Sequence, residues 1–169
     1  MLNLLRSRNE EKATAHRLYA GLMERARAPV FFLNFAVPDT IDGRFDLVAL
    51  HAALVLERLK GVDDDLAQGL IDAIFIGFDE ALRELGVGDM GAGRRLKSMA
   101  NAFYGRLTAY GEAQDIDALT PAIHRNVYRG DGASADQAAR LATYAQSARS
   151  HLAGWRPDQQ PIAFGPLPE

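Results

Sequence analysis

At 169 residues the chain is the size of one domain and can bury an ordinary core without staples. A hydrophobic share of 48% and a charged share of 24% exclude disorder, and the absence of cysteine excludes disulfides, thiol catalysis and cysteine-based zinc sites. A net charge of −3 offers no overall attraction to nucleic acid or an anionic membrane, and no stretch reaches the roughly 18 apolar residues of a membrane span.

Residues 1–9 read as a flexible terminus. Leu2, Leu4 and Leu5 beside Arg6 and Arg8 form an apolar patch far short of the roughly 7–15 residues of a secretory core, which predicts a cytoplasmic protein. They suit a frayed end better than a membrane contact. A helix is predicted over residues 10–27, with Ala15, Leu18, Tyr19, Leu22 and Met23 on one face. Pro29, Pro38 and Gly43 interrupt the pattern, and between them lies the apolar run from Val30 to Val37. Its Phe31, Phe32 and Phe35 have two readings: an exposed aromatic patch able to hold an apolar client, or a plug for the bundle.

The segment 45–60 is apolar almost all round, which places it at the centre of a helical bundle. The next helix starts at Asp63 or Asp64, both suited to a cap, and carries Leu66, Leu70, Ile74, Phe78 and Leu82 at steps of four. Gly86 stands where a left-handed residue ends a helix. Gly86, Gly88 and Gly91 formally match the dinucleotide fingerprint, but that fingerprint needs a strand before it and a helix precedes it here.

Asp89 is read as the cap of the following helix, whose Leu96, Met99, Ala100, Phe103 and Leu107 form one stripe. Arg94, Arg95, Lys97, Asn101 and Arg106 fall on the other side, a solvated face or a contact for RNA or lipid phosphate. Gly111 is expected to end this helix, Thr120 to cap a short one with Pro121 at its first position, and Ser134 to open the last with a capping box. Residues 155–169 form a proline-rich extended tail. The periodicity therefore predicts an all-α single-domain helical bundle of about six helices spanning residues 1–169, with an irregular apolar connector.

Three groups of residues carry a family resemblance. They are Phe45-Asp-Leu-Val-Ala-Leu-His51 with Arg58-Leu59, then Asp79-Glu-Ala-Leu-Arg-Glu-Leu-Gly-Val-Gly-Asp89, and finally Lys97-Ser-Met with Ala102-Phe-Tyr-Gly-Arg-Leu-Thr-Ala-Tyr110. In order and spacing they resemble the ubiquinol–cytochrome c chaperone family, strongly from residue 40 to 110 and more loosely in the flanks. The resemblance implies a helical, non-catalytic factor that binds newly made cytochrome b and supports assembly of the cytochrome bc1 complex. In mitochondria such a factor works with a small partner protein and contacts the ribosome. For this chain the co-chaperone, the ribosome and a peripheral place at the inner face of the cytoplasmic membrane remain open.

The expected partner-binding residues are Phe31, Phe32, Phe35, Asp79, Glu80, Arg83, Asp89, Arg94, Arg95, Lys97, Tyr104 and Arg106. The family pattern includes Asp79, Glu80, Arg83, Asp89 and Arg106, and a charged hairpin corner presenting them is the expected docking surface. Asp79 and Arg83 also stand at a favourable helical spacing that needs no partner to explain it. No cofactor is expected. His16, His51, His124 and His151 lack metal-ligand spacing, Ser98 lacks a nucleophile's context, and no element reads as a DNA-binding motif. Two rival readings are a small lipid- or haem-binding helical carrier and, further off, a small helical enzyme.

Overall fold

The computed structural model describes the backbone of residues 2–159 and 161–169, with side chains from residue 9 onward in those ranges. The N-terminal patch of Leu2, Leu4, Leu5, Arg6 and Arg8 lies outside the described side chains. The described residues form seven α-helices and no strand: α1 (Leu2–Ala26), α2 (Val30–Leu33), α3 (Ile41–Leu59), α4 (Asp64–Glu84), α5 (Asp89–Glu112), α6 (Ile116–Val127) and α7 (Ala135–Ala153). Six are long and α2 is a single turn, so the all-α bundle expected from periodicity is the one that forms. The first helix begins ahead of residue 10.

The centre of the bundle is α3. Thirteen of its nineteen residues are buried, the outcome its polar-poor sequence demands, and α1, α4, α5, α6 and α7 all pack against it. Thr40 opens the helix by accepting a hydrogen bond from the Gly43 amide at 3.1 Å. On one flank α1 lies along α4, where Gly69 and Gly77 let Ala15 and Tyr19 approach closely. On another, α6 and α7 pair. The aromatic connector makes one helical turn and then turns inward, so Phe31 and Phe35 are buried and Phe32 is half-buried, while Leu33 points out.

The α4–α5 corner closes by backbone chemistry. Gly86, at φ +74°, donates to the Arg83 carbonyl, and the Val87 amide donates to the Leu82 carbonyl, the pair of bonds that satisfies a helix C-terminus. Gly88, rather than Asp89, occupies the cap of α5 and has no side chain to offer. Asp89 becomes the first helical residue.

Three other helix ends depart from expectation. The helix with Pro121 starts earlier, at Ile116, because Asp115 caps it through the Ala118 amide at 2.8 Å. Pro121 therefore sits inside that helix, and Thr120 donates back to the Ile116 carbonyl instead of capping. Gly111 lies within α5, which runs on to Glu112. The Ser134 capping box does not form; a 3₁₀ turn over Gly132–Ser134 precedes α7, and Asp131 receives the Ala133 amide and the Ser134 hydroxyl.

After α7 the described residues of the tail, 154–159 and 161–169, lie as a strap along the bundle. Trp155, Ile162 and Phe164 are buried, each stabilising it by roughly 1.5–3 kcal/mol. The Arg58 guanidinium holds the Trp155 carbonyl at 3.0 Å.

Candidate partner-binding groove

Asp46 is carried by α3 into the interior, where it is fully buried. Two cations meet it from different elements. Arg106 of α5 reaches Oδ1 through Nε at 2.8 Å and Nη2 at 2.7 Å, and Arg129, just past α6, brings Nη1 to 2.9 Å from Oδ2. Arg129 does so from a left-handed backbone conformation (φ +57°) and also bonds the Asn126 carbonyl. The Arg106 guanidinium lies 5.0 Å above the Phe45 ring and donates to the Ala102 carbonyl.

Burial pushes the Asp46 pKa up to about 6 against the pull of both arginines. The buried Tyr110 hydroxyl is pushed up by the same desolvation, with the Asp46 charge adding to it.

Over this ion pair opens a groove of about 460 Å³ between the start of α3 and the middle of α5. Ile41, Phe45, Met99 and Ala102 supply apolar surface; Arg95, Arg106, Arg129, Ser98 and Asp42 edge it. Ile41 is 47% exposed. The stripe expected to bury α5 is only partly covered: Phe103 is buried, but Leu96, Met99, Ala100 and Leu107 are half-buried. Between Ala92 and Phe103 no residue of α5 is fully buried, so this stretch presents an incompletely covered apolar face.

A larger cleft of about 600 Å³ runs between α1 and α4, lined by Glu11, Lys12, Asp65 and Asp72 among others. None of the residues that carry the family likeness lines it, whereas Phe45, Ser98, Met99, Ala102 and Arg106 line the α3–α5 groove. A second hollow between α3 and α5, of about 570 Å³, takes only Leu107 and Thr108 from those groups, so the groove over Asp46 gathers more of them than either.

The expected partner-binding residues do not all converge. Arg95 and Arg106 reach the groove, and Arg94 and Lys97 stand exposed on the same helix. Arg106 is largely consumed by Asp46; its side chain is only 14% exposed. At the corner, Arg83 pairs with Asp79 at 2.8 Å and Asp89 at 3.1 Å, all in solvent or near it, and Glu80 is exposed. Tyr104 stacks on Phe75 at 6.1 Å, half-exposed on the α4 side.

Phe31 and Phe35 are core residues, so they do not form the open aromatic patch. Phe32 sits at the edge with the Arg44 guanidinium 5.8 Å over its ring. Among the described residues no group of three or more His, Cys, Asp or Glu is placed to hold a metal.

Reading the residues in sequence passed over Asp46 and Arg129. The one carboxylate within the apolar stretch 45–56 was the available signal for the first. Nothing local marks the second, since its partner lies in a different helix. A further buried relay also went unread: Arg25 Nε donates to the Tyr144 hydroxyl at 2.8 Å, which bonds His51 Nε2 at 2.8 Å, while His51 Nδ1 donates to the Leu47 carbonyl. Burial lowers the His51 pKa to about 4 and keeps the ring neutral, as this bonding pattern requires.

Fold and groove together define an all-helical domain in which Phe45, Ser98, Met99, Ala102 and Arg106, all likeness-bearing, line a groove over one buried ion pair. The chain belongs to the ubiquinol–cytochrome c chaperone family, which residues 33–159 match. Its fold is that of the Cbp3 homolog from Brucella abortus in its crystal structure, with a TM-score of 0.78 and 38% identity over 90% of this chain and 88% of that one. It is also 24% identical over 121 residues to ubiquinol-cytochrome-c reductase complex assembly factor 1 of Xenopus laevis. That match spans 69% of this chain and 60% of the Xenopus protein.

Proposed function

We propose that this protein is an assembly chaperone that binds newly made cytochrome b and supports biogenesis of the cytochrome bc1 complex, acting by binding and without catalysing a reaction. The observation that carries this reading is the overlap between family-like residues and the open groove: Phe45, Met99, Ala102 and Arg106 are both. A membrane subunit held before assembly presents apolar helices whose ends carry charge. A short apolar floor edged by Arg95 and Arg129 suits one such helix end with an acidic flank. Arg94, Arg95 and Lys97 extend the basic edge along α5. The name of the Xenopus relative, a ubiquinol-cytochrome-c reductase complex assembly factor, supports the same client complex.

Among the described residues no helix is long and apolar enough to cross a membrane. A cytoplasmic chaperone meeting its client at the inner face of the membrane, beside the ribosome or the bilayer, accords with that and with the basic edge of α5. The test is capture: a tagged chain expressed in its host retrieves newly synthesised cytochrome b, and loss of the gene lowers cytochrome b haem absorbance. Failure to retrieve that subunit, or turnover of a metabolite by the purified protein, would sink the reading.

A further inference from the structure

Around Asp46 the two arginines are spent differently. Arg106 turns its Nε and Nη2 edge inward and places both on Oδ1, while its Nη1 donates to the Ala102 carbonyl. That edge is the fork that matches the two oxygens of a carboxylate, and in Arg106 it is used up. Arg129 meets the same carboxylate with Nη1 alone. Its 2.9 Å approach to Oδ2 is a charge contact without hydrogen-bond alignment, and the same nitrogen donates to the Asn126 carbonyl. Among the described residues nothing accepts from Nε or Nη2 of Arg129. The fork is therefore unspent, on a side chain that is 51% exposed and lines the groove over Asp46.

Two further groups of this groove are uncommitted. Within the described residues Arg95 has no ion pair and Ser98 no hydrogen bond, and both stand exposed on α5. Charge of the other sign is present too, in Asp42 at the rim and Asp46 beneath. Three arginines against these two carboxylates leave one positive charge unanswered, the complement of a monoanion rather than of a doubly charged phosphate. Beside the cations, Ile41, Phe45 and Met99 supply apolar surface for the residues that carry such a group.

We propose that the free fork of Arg129, with Arg95 and Ser98 in the same groove, is a carboxylate subsite that takes one aspartate or glutamate at the apolar helix end of the client. Asp46 and the Asn126 carbonyl hold Nη1 in place and leave the fork to the ligand. This rests on the client reading of the groove and sharpens it, from an acidic flank to a single side chain held by two parallel bonds.

The experiment titrates the full-length chain with octanoate, whose alkyl chain and carboxylate copy the two parts of the ligand. The Arg129 Nε–H signal and the Met99 methyl signal are followed by NMR, and octanoate shifts both. Octanamide, of the same shape and without charge, binds about tenfold more weakly. Arg129→Lys keeps the charge and loses the fork, and it lowers octanoate affinity about tenfold as read at Met99. Arg95→Gln, whose side chain has no ion pair to lose, lowers it about threefold and gives a second reading where Arg129→Lys does not retain its helical spectrum. Equal octanoate affinity in wild type and these variants overturns the proposal, as does octanamide binding equally well. Octyl phosphate binding more tightly than octanoate also overturns it, by assigning the subsite to a phosphate group. No client is present in this titration, so its result is separate from capture. A chain that binds octanoate through Arg129 but retrieves no cytochrome b loses the occupant proposed here, and one that retrieves cytochrome b equally well with Arg129→Lys keeps the groove and loses the subsite.

Discussion

A carboxylate carried into the middle of α3 has to meet cations there, and Arg106 and Arg129 supply them from two other elements. The pair fixes where α5 and the turn after α6 lie against α3; it is not free stability, because ionising Asp46 in the interior is opposed by desolvation. Its pKa, raised to about 6, exceeds the ordinary carboxylate value of 3.8. The folded state therefore holds a proton more tightly than the unfolded chain, so this stability is full below about pH 4 and is lost as pH rises through about 6. Asp46→Asn removes that titration. Between pH 4 and pH 7 the unfolding free energy of Asp46→Asn gains about 2 kcal/mol relative to wild type, read from urea melts at each pH. A difference that stays flat means the arginines balance desolvation, and one that slopes the other way means they outweigh it.

Two glycines make a sharper contrast at the same scale. A Cβ at Gly43 would stand 1.9 Å from the Pro38 carbonyl oxygen, which is backbone and cannot step aside. At Gly77 the obstacle is the Tyr19 hydroxyl at 2.0 Å, the far end of a side chain. Gly43→Ala lowers stability by about 1–3 kcal/mol, while Gly77→Ala lowers it less, because the helix propensity gained offsets part of the tyrosine's shift. Thermal melts of the two variants settle the order.

At the scale of elements, most of what could be read was the apolar periodicity: α3, α4 and α7 are where their spacing puts them, and Gly86 ends α4 as its permissive backbone suggested. Two of the misreadings are competitions between nearby polar residues. Asp115 outcompeted Thr120, and Asp131 took the Ser134 hydroxyl that was expected to cap α7. Local pattern ranks such candidates poorly, because the winner is set by which turn lets the apolar stripe reach the core. The ties between helices were not readable at all.

Arg149 shows why. From α7 it bonds Glu57 of α3 at 3.0 Å and Gln146, and it holds the Tyr110 and Ala113 carbonyls where α5 ends. No spacing along the chain announces that convergence. Arg149→Ala leaves Glu57 and two carbonyls without this donor and costs about 2–4 kcal/mol. Arg149→Lys recovers only part of it, since an ammonium cannot span the same fork. Denaturant midpoints of the two variants would show it, and a lysine variant as stable as wild type would argue against the fork.

For the molecule as a whole, the question is which surface holds the client. The resemblance pointed to the charged corner, the basic strip of α5 was a second surface read from its charge alone, and the structure separates them physically. Arg83 is occupied by Asp79 and Asp89, so the corner's one cation is spent and the surface it presents is net negative. Further along, α5 leaves Met99 and Ala102 half-covered beside Ile41, with exposed Arg95 at the edge. Apolar area that the fold leaves open next to unanswered positive charge is where an incoming helix end gains most. Ile41 begins α3, so Ile41→Asp places a carboxylate at a helix N-terminus, where the backbone dipole favours it and the melt is preserved. The same change wets the groove floor and repels an acidic flank. Ile41→Asp and Arg95→Glu therefore each reduce capture of newly made cytochrome b by about tenfold, corresponding to about 1.4 kcal/mol, at an unchanged melting temperature. Arg83→Glu leaves capture near wild type. Radiolabelled pull-downs of the three variants decide between the surfaces: capture lost with Arg83→Glu and kept with the groove variants moves the docking site to the α4–α5 corner.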